Sequence, residues 1–298
     1  MQRSHHDLAS LGWDEAYEAE LEALEGDLEP GRVAAEHRGS YSVVTAHGEF
    51  PAEVSGRVSY SAVGRADLPA VGDWVALVRS SDMALIQKVL TRRTAFVRKV
   101  AGRVADEQVV ASNVDVVFIC SALDADFNLR RVERYLTPTW QSGARPLVVL
   151  TKADLCESVA ERVEEVRSIA PGVEVVAVSA LTESSVAQLT PFIGPGHTAA
   201  FLGSSGVGKS TLVNRLLGRD EMATRDIRAD GKGRHTTTHR QLIELPSGGC
   251  LIDTPGMREL QLWDAPDGLG STFSDISELA SQCRFRDCAH ETEPGCAV

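Results

Sequence analysis

The stretch Gly203-Ser-Ser-Gly-Val-Gly-Lys-Ser210 has the spacing GxxxxGK[ST], with an apolar strand before it and a helical run after it. That order is required of a phosphate loop: its glycines turn backbone N–H groups inward around a β-phosphate at a helix N-terminus. Gly203, Ser204, Ser205, Gly206, Val207, Gly208, Lys209, Ser210 and Thr211 therefore form the expected phosphate shell. Lys209 is set to reach the β- and γ-phosphates, and Ser210 to offer its hydroxyl to Mg²⁺. Further on, Cys250-Leu-Ile-Asp-Thr-Pro-Gly256 is an apolar strand ending in an acid and a flexible turn. Asp253 is expected to hold Mg²⁺ through water, and the Gly256 N–H to meet the γ-phosphate. Between these motifs lies the basic, hydroxyl-rich run Gly231-Lys-Gly-Arg-His-Thr-Thr-Thr-His-Arg240. A threonine there completes a Mg²⁺ shell when γ-phosphate is present; Thr237 is favoured, although spacing does not separate Thr236, Thr237 and Thr238.

A base-reading element lies upstream of the phosphate loop. Val148-Val-Leu-Thr-Lys-Ala-Asp154 is a buried-type strand ending in [NT]KxD, and Val176-Ala-Val-Ser-Ala-Leu181 is a second strand ending in SAL. A carboxylate at Asp154 accepts from guanine N1–H and N2–H₂, which adenine lacks, while the Lys152 stem lies along the purine. The Ser179–Ala180 backbone is placed to meet guanine O6, with Leu181 closing the motif. Thr151 stands where many GTPases have asparagine, which removes a side-chain amide near guanine N7. The residues specify a guanine-nucleotide site, and competition between nucleotides would exclude the ATPase reading of the same loop class.

These motifs need a scaffold. Apolar strands at 114–120, 146–150, 173–178, 199–202 and 250–252 alternate with helical stretches at 129–141, 158–169 and 209–217. Such alternation predicts an α/β fold, a doubly wound and mostly parallel sheet covered on both faces. Upstream, short β-type stretches at 41–46, 53–60, 73–78 and 84–90, broken by glycine and proline, predict a small barrel. The 298-residue chain has a net charge of −12, and residues 1–36 hold −8 of it, leaving −4 for the rest. That acidic leader reads as a flexible tail. Residues 88–103 carry six basic side chains and no acid, a composition suited to a phosphate backbone. With 43% hydrophobic and 24% charged residues, the chain is neither disordered nor fibrous. It offers neither a bilayer-length apolar run nor an export signal, so a cytoplasmic protein with no membrane partner is expected. Three of its six cysteines crowd the end as Cys283-x4-Cys288-x-His290-x5-Cys296. A Cys₃His set of this kind fills a tetrahedral, structural Zn²⁺ site. Cys120, Cys156 and Cys250 read as structural.

Ordinary GTPases run phosphate loop, switch, DTPG and then the base-reading pair, whereas here the base-reading pair comes first, a circular permutation. With GKGRHTTTHR, DTPGMREL, the stretch Ala111-Ser-Asn-Val-Asp115 and the zinc pattern in place, the chain from about Gly31 to Val298 resembles the RsgA (YjeQ) family of ribosome-small-subunit-dependent GTPases. The resemblance implies an N-terminal OB-fold barrel, a permuted P-loop GTPase domain and a C-terminal zinc-binding segment that continues into helices beyond what this sequence spans. Expected boundaries are an acidic tail at 1–36, an RNA-binding barrel at 37–99, the GTPase domain at 100–282 and the zinc segment at 283–298. It further implies GTP and GDP as ligands, Mg²⁺ with GTP, one Zn²⁺, and a partner in the small ribosomal subunit and its rRNA, touched by the barrel, the connector around Arg92–Arg103 and the zinc segment. A monomer is expected. The activity would be hydrolysis of GTP to GDP and phosphate during late subunit assembly, stimulated by the subunit. Lys209 and Gly256 would stabilise the transferring phosphoryl group. Met257 stands where many GTPases have a water-orienting glutamine, so intrinsic turnover is expected to be slow and His235, beside the switch threonines, to position the attacking water. The same Met257 keeps open an alternative, a nucleotide-gated RNA-binding module with negligible turnover.

Overall fold

The computed structural model describes residues 7–37, 39–100, 106–218, 240–253 and 283. His235, Thr236, Thr237, Thr238, Gly256, Met257, Cys288, His290 and Cys296 lie outside the described residues, as does the Asp253 side chain. Residues 1–260 form one compact unit and residues 261–298 a second, in which Cys283 is half-buried.

The first unit opens with helix α1 (Glu15–Glu22), whose N-terminus is capped by Asp14: its carboxylate accepts from the N–H groups of Ala16 and Tyr17. Strands β1 (Glu29–His37), β2 (Ser40–Thr45) and β3 (Gly48–Val54) follow as a meander, then helix α2 (Gly56–Ser61), then β4 (Trp74–Arg79) and β5 (Ala84–Val89). β1 pairs with both β2 and β4, β2 with β3, β3 in parallel with β5, and β5 with β4. The order 1-2-3-5-4-1 closes a five-stranded OB-like barrel with no open edge. Its interior is filled by Val33, Val43, Phe50, Val75, Leu77 and Ile86, all buried. Strands β6 (Ala95–Val100) and β7 (Asp106–Ser112) form a separate antiparallel ribbon.

The remaining elements are β8 (Val116–Ala122), α3 (Leu129–Gln141), β9 (Arg145–Thr151), α4 (Val159–Ile169), β10 (Glu174–Ala177), the short α5 (Glu183–Val186), β11 (Thr198–Leu202), α6 (Lys209–Leu217), β12 (Arg240–Glu244) and β13 (Cys250–Asp253). The strand order is β10-β9-β8-β11-β13-β12, parallel except for β12. All seven residues of β8 are buried, as a central strand covered on both faces requires. Because β12 also pairs with β1, at Ala35 with Gln241 and Glu36 with Arg240, barrel and parallel sheet are hydrogen-bonded into one eleven-stranded sheet.

Three expectations are corrected. Residues 14–36 are not a flexible tail: they form α1 and the first barrel strand. Tyr17 and Leu21 are buried, and the Trp13, Tyr17 and Trp74 rings form a cluster with centroids 4.9–5.9 Å apart. The acids that suggested solvation serve as caps and ion pairs: Asp14 binds Arg93 at 2.6 Å, and the Glu20 carboxylate accepts from the Thr91 N–H. Arg92 is consumed by the fold rather than offered to a phosphate backbone, and Arg93, though exposed, is paired with Asp14. Arg92 grips the buried Asp73 through Nε at 2.8 Å and Nη2 at 2.7 Å, while Arg93 also lies over the Tyr17 ring. Lastly, the β-type stretch at 53–60 is strand only to Val54, because the Ser55 hydroxyl caps α2 by accepting from the Val58 N–H.

The junction between barrel and parallel sheet is tight. Arg32, fully buried with its pKa pushed down by desolvation, donates to the carbonyls of Leu11, of Gly72 at 3.2 Å and of Asn113 at 3.1 Å. Gly72 is required there: its φ is +96°, and a Cβ would stand 2.1 Å from the Ser112 carbonyl oxygen.

Candidate nucleotide site

All the described motifs lie at the carboxyl ends of parallel strands, where open α/β sheets bind ligands. β11 runs into Gly203–Gly208, and α6 begins at Lys209. Gly203, with φ of +149°, passes so close to β8 that a Cβ would stand 2.6 Å from the Cys120 carbonyl oxygen. Gly208, left-handed, turns the chain into α6. Lys209 is buried, and its ammonium donates to the carbonyls of Gly203 at 2.7 Å and Ser204 at 2.6 Å, so it stretches back across its own loop. Ser210 and Thr211 are half-buried in the first turn of α6, and Ser205 and Gly206 are exposed at the loop tip. The parallel register of β11 with β13, Ala200 opposite Ile252, continues to put Asp253 at the strand end beside the phosphate loop.

The guanine-reading residues stand alongside. Lys152 adopts a left-handed conformation after β9, and its ammonium donates to Asp124 at 2.7 Å. That hydrogen bond holds the Asp124 carboxyl below the usual carboxylate range. The Asp154 carboxylate accepts a short hydrogen bond from the Ser179 hydroxyl, which joins the TKAD and SAL loops. The Ser179 N–H donates to Ser185 Oγ at 2.9 Å, and Arg215 Nε, from α6, donates to the Ala180 carbonyl at 3.0 Å. Leu181 is exposed.

Thr151, which stands where many GTPases have asparagine, is buried, and its hydroxyl donates to the Val207 carbonyl at 2.5 Å. That hydroxyl ties the end of β9 to the phosphate loop.

Sequence reading missed Asp124, Asp126 and Arg131, which surround these motifs. Their signal was position: Asp124-Ala-Asp126 leaves an apolar parallel strand at the ligand-binding edge, as TKAD does. Arg131 pairs with Asp126 and also donates to Ser204 Oγ at 3.0 Å. Among the described residues no group of three potential metal ligands comes together.

A family model described as RsgA GTPase matches residues 89–263. Among curated proteins, the small ribosomal subunit biogenesis GTPase RsgA 2 of Lactiplantibacillus plantarum is 49% identical over 98% of this chain and 82% of its own length. The protein of the same name, without the numeral, from Streptomyces coelicolor is 45% identical over 99% of this chain and 81% of its own. Among solved structures, YjeQ from Thermotoga maritima aligns with a TM-score of 0.65 at 24% identity, covering 91% of this chain and 90% of that one. YloQ, described as a circularly permuted GTPase, aligns at 0.62 and 24%, covering 92% and 88%. These structures share the permuted fold. With base-reading and phosphate-binding motifs both inside the matched region, and close to half of all residues identical over nearly the full length, this chain belongs to the RsgA family and is a GTPase.

Proposed function

We propose that this GTPase acts on the small ribosomal subunit late in its assembly and that docking on the subunit raises its turnover. The observation that carries the proposal is near-full-length likeness to proteins named for small ribosomal subunit biogenesis. The rival, a nucleotide-gated RNA-binding module with negligible turnover, shares the docking step and differs in the chemistry.

In this reading Asp154 accepts from guanine N1–H and N2–H₂, and the Lys152 stem supports the purine face. Ala180 gives its N–H to O6, since that of Ser179 goes to Ser185. The backbone from Gly203 to Thr211 wraps the phosphates and Lys209 meets the β- and γ-oxygens. Ser210, Asp253 and Thr237 supply oxygen donors, the chemistry Mg²⁺ prefers, and the positions of Ser210 and Asp253 beside the loop fit that role. Mg²⁺ bound there neutralises charge that develops on the β- and γ-phosphates. Gly256 donates its N–H to the γ-phosphate, and His235 positions the attacking water that Met257 leaves unoriented. The barrel, the rest of the basic stretch beyond Arg92 and Arg93, and the segment holding Cys283, Cys288, His290 and Cys296 around Zn²⁺ are the rRNA contacts. No helix among the described residues is long and apolar enough to cross a membrane, and the proposed setting is the cytoplasm, as a monomer.

Co-sedimentation with purified small subunits tests the docking step. The protein should pellet with subunits in the presence of a non-hydrolysable GTP analogue and release with GDP. Protein that stays in the supernatant with either nucleotide would remove the ribosomal part of the proposal.

A further inference from the structure

Ser204, in the phosphate loop, is held at both its backbone and its side chain. Lys209 takes its carbonyl, and its hydroxyl sits in a closed ring with two residues from outside the loop. Arg131 Nη1 donates to Ser204 Oγ at 3.0 Å, and Ser204 Oγ donates to Asp126 Oδ2 at 3.3 Å. Asp126 completes the ring by accepting from both terminal nitrogens of Arg131, from Nη2 at 3.0 Å and from Nη1 at a shorter distance. The Asn128 cap fixes the start of α3, accepting from the Arg131 backbone N–H at 3.1 Å. Asp126 lies on the turn leaving β8, and Asp124 on the same turn holds Lys152.

We propose that Arg131 and Asp126 are positioning residues for GTP binding: through the Ser204 hydroxyl they hold the phosphate loop in the conformation that presents its N–H groups to the β-phosphate. The inference rests on the assignment of Gly203–Ser210 to the phosphates. Direction, not charge, is the operative property. Arg131 is paired two-pronged with a carboxylate, so the pair is close to neutral as seen from the phosphates, and the half-exposed Asp126 side chain leaves its field screened by water. A planar fork is nevertheless suited to this task, because it satisfies a carboxylate and still aims an N–H at a third oxygen.

Titration with a fluorescent guanine diphosphate, and steady-state hydrolysis by the full chain, read the effect. Arg131→Ala and Ser204→Ala should each raise the Kd for GDP and for GTP together by about three- to tenfold, the scale of one ordinary net hydrogen bond. The double variant should be no weaker than the weaker single one, since both remove the same contact. For Arg131→Ala, kcat at saturating GTP should change less than about twofold, as expected when binding is lost uniformly. Arg131→Lys, which keeps an N–H donor at comparable reach but loses the planar fork, should restore only part of the affinity. Active-site titration should find every molecule competent, which a merely structural defect would not leave intact. Unchanged Kd values, additive losses in the double variant, or full rescue by lysine would overturn the proposal. Lys209→Ala separates the two levels: if it still bound GDP as the wild type does, the assignment of the phosphate loop would fail rather than the clamp.

Discussion

Asp154 is already engaged before a base arrives, because the Ser179 hydroxyl donates to its carboxylate. In the proposed reading, guanine would meet a carboxylate whose orientation is set from the neighbouring strand end. Asp154→Asn turns half of that acceptor pair into a donor, and loss of one partner in a charged hydrogen-bond set costs roughly 2–5 kcal/mol. In a competition assay the variant should weaken for GTP and gain for xanthosine triphosphate; wild-type preference for GTP would contradict the role of Asp154. The placement of TKxD and SAL at neighbouring strand ends was readable from sequence because both are short motifs that follow apolar runs. Thr151 was readable as a member of the motif but not in its contact. Its partner, the Val207 carbonyl, lies 56 positions away in sequence, and only the strand order brings them together.

At the scale of elements, periodicity predicted α3 over 129–141 and α6 over 209–217 with the bounds observed, and the parallel strands within a residue or two. Near-continuous apolar runs have few alternative readings when helices flank them. The leader failed for a physical reason: β1 carries Pro30, Gly31 and Arg32 and follows ten residues rich in acid, so neither alternation nor apolarity marked it. Its burial comes from Trp74 and the barrel interior, contacts that no local window contains. The segment from Cys283 is the element whose order we assign to metal. If the four candidate ligands within fourteen residues hold Zn²⁺ as proposed, metal binding would supply folding free energy to the segment. Metal analysis of protein purified without chelator should return about one Zn²⁺ per chain, the stoichiometry of a four-ligand structural site. A zinc-free preparation would contradict it.

Within residues 1–260, barrel and parallel sheet are held at their junction by Arg32, Asn113 and Gly72, whose contacts no local sequence window contains. Arg32 joins the turn at Leu11, the barrel loop at Gly72 and the linker at Asn113. Arg32→Met fills similar volume but leaves three buried carbonyls without this donor. The Gly72 carbonyl keeps a donor in Asn113 Nδ2, so two carbonyls are orphaned; at about 1–3 kcal/mol each, offset in part by the desolvation cost of the guanidinium, the loss should be a few kcal/mol. Urea unfolding should show a lowered midpoint; an unchanged or raised midpoint would mean that Arg32 does not hold the junction. Through this junction and the β1–β12 pairing, the barrel is continuous with the strand that pairs with β13 at Asp253. The central claim is that a slow GTPase is completed by its subunit. Multiple-turnover phosphate release, measured for wild type and His235→Ala with and without purified small subunits, tests it most directly. Wild type should be slow alone and strongly stimulated by subunits, and His235→Ala should keep GTP and subunit binding but lose most of the stimulation. A wild-type rate that subunits leave unchanged would contradict the claim.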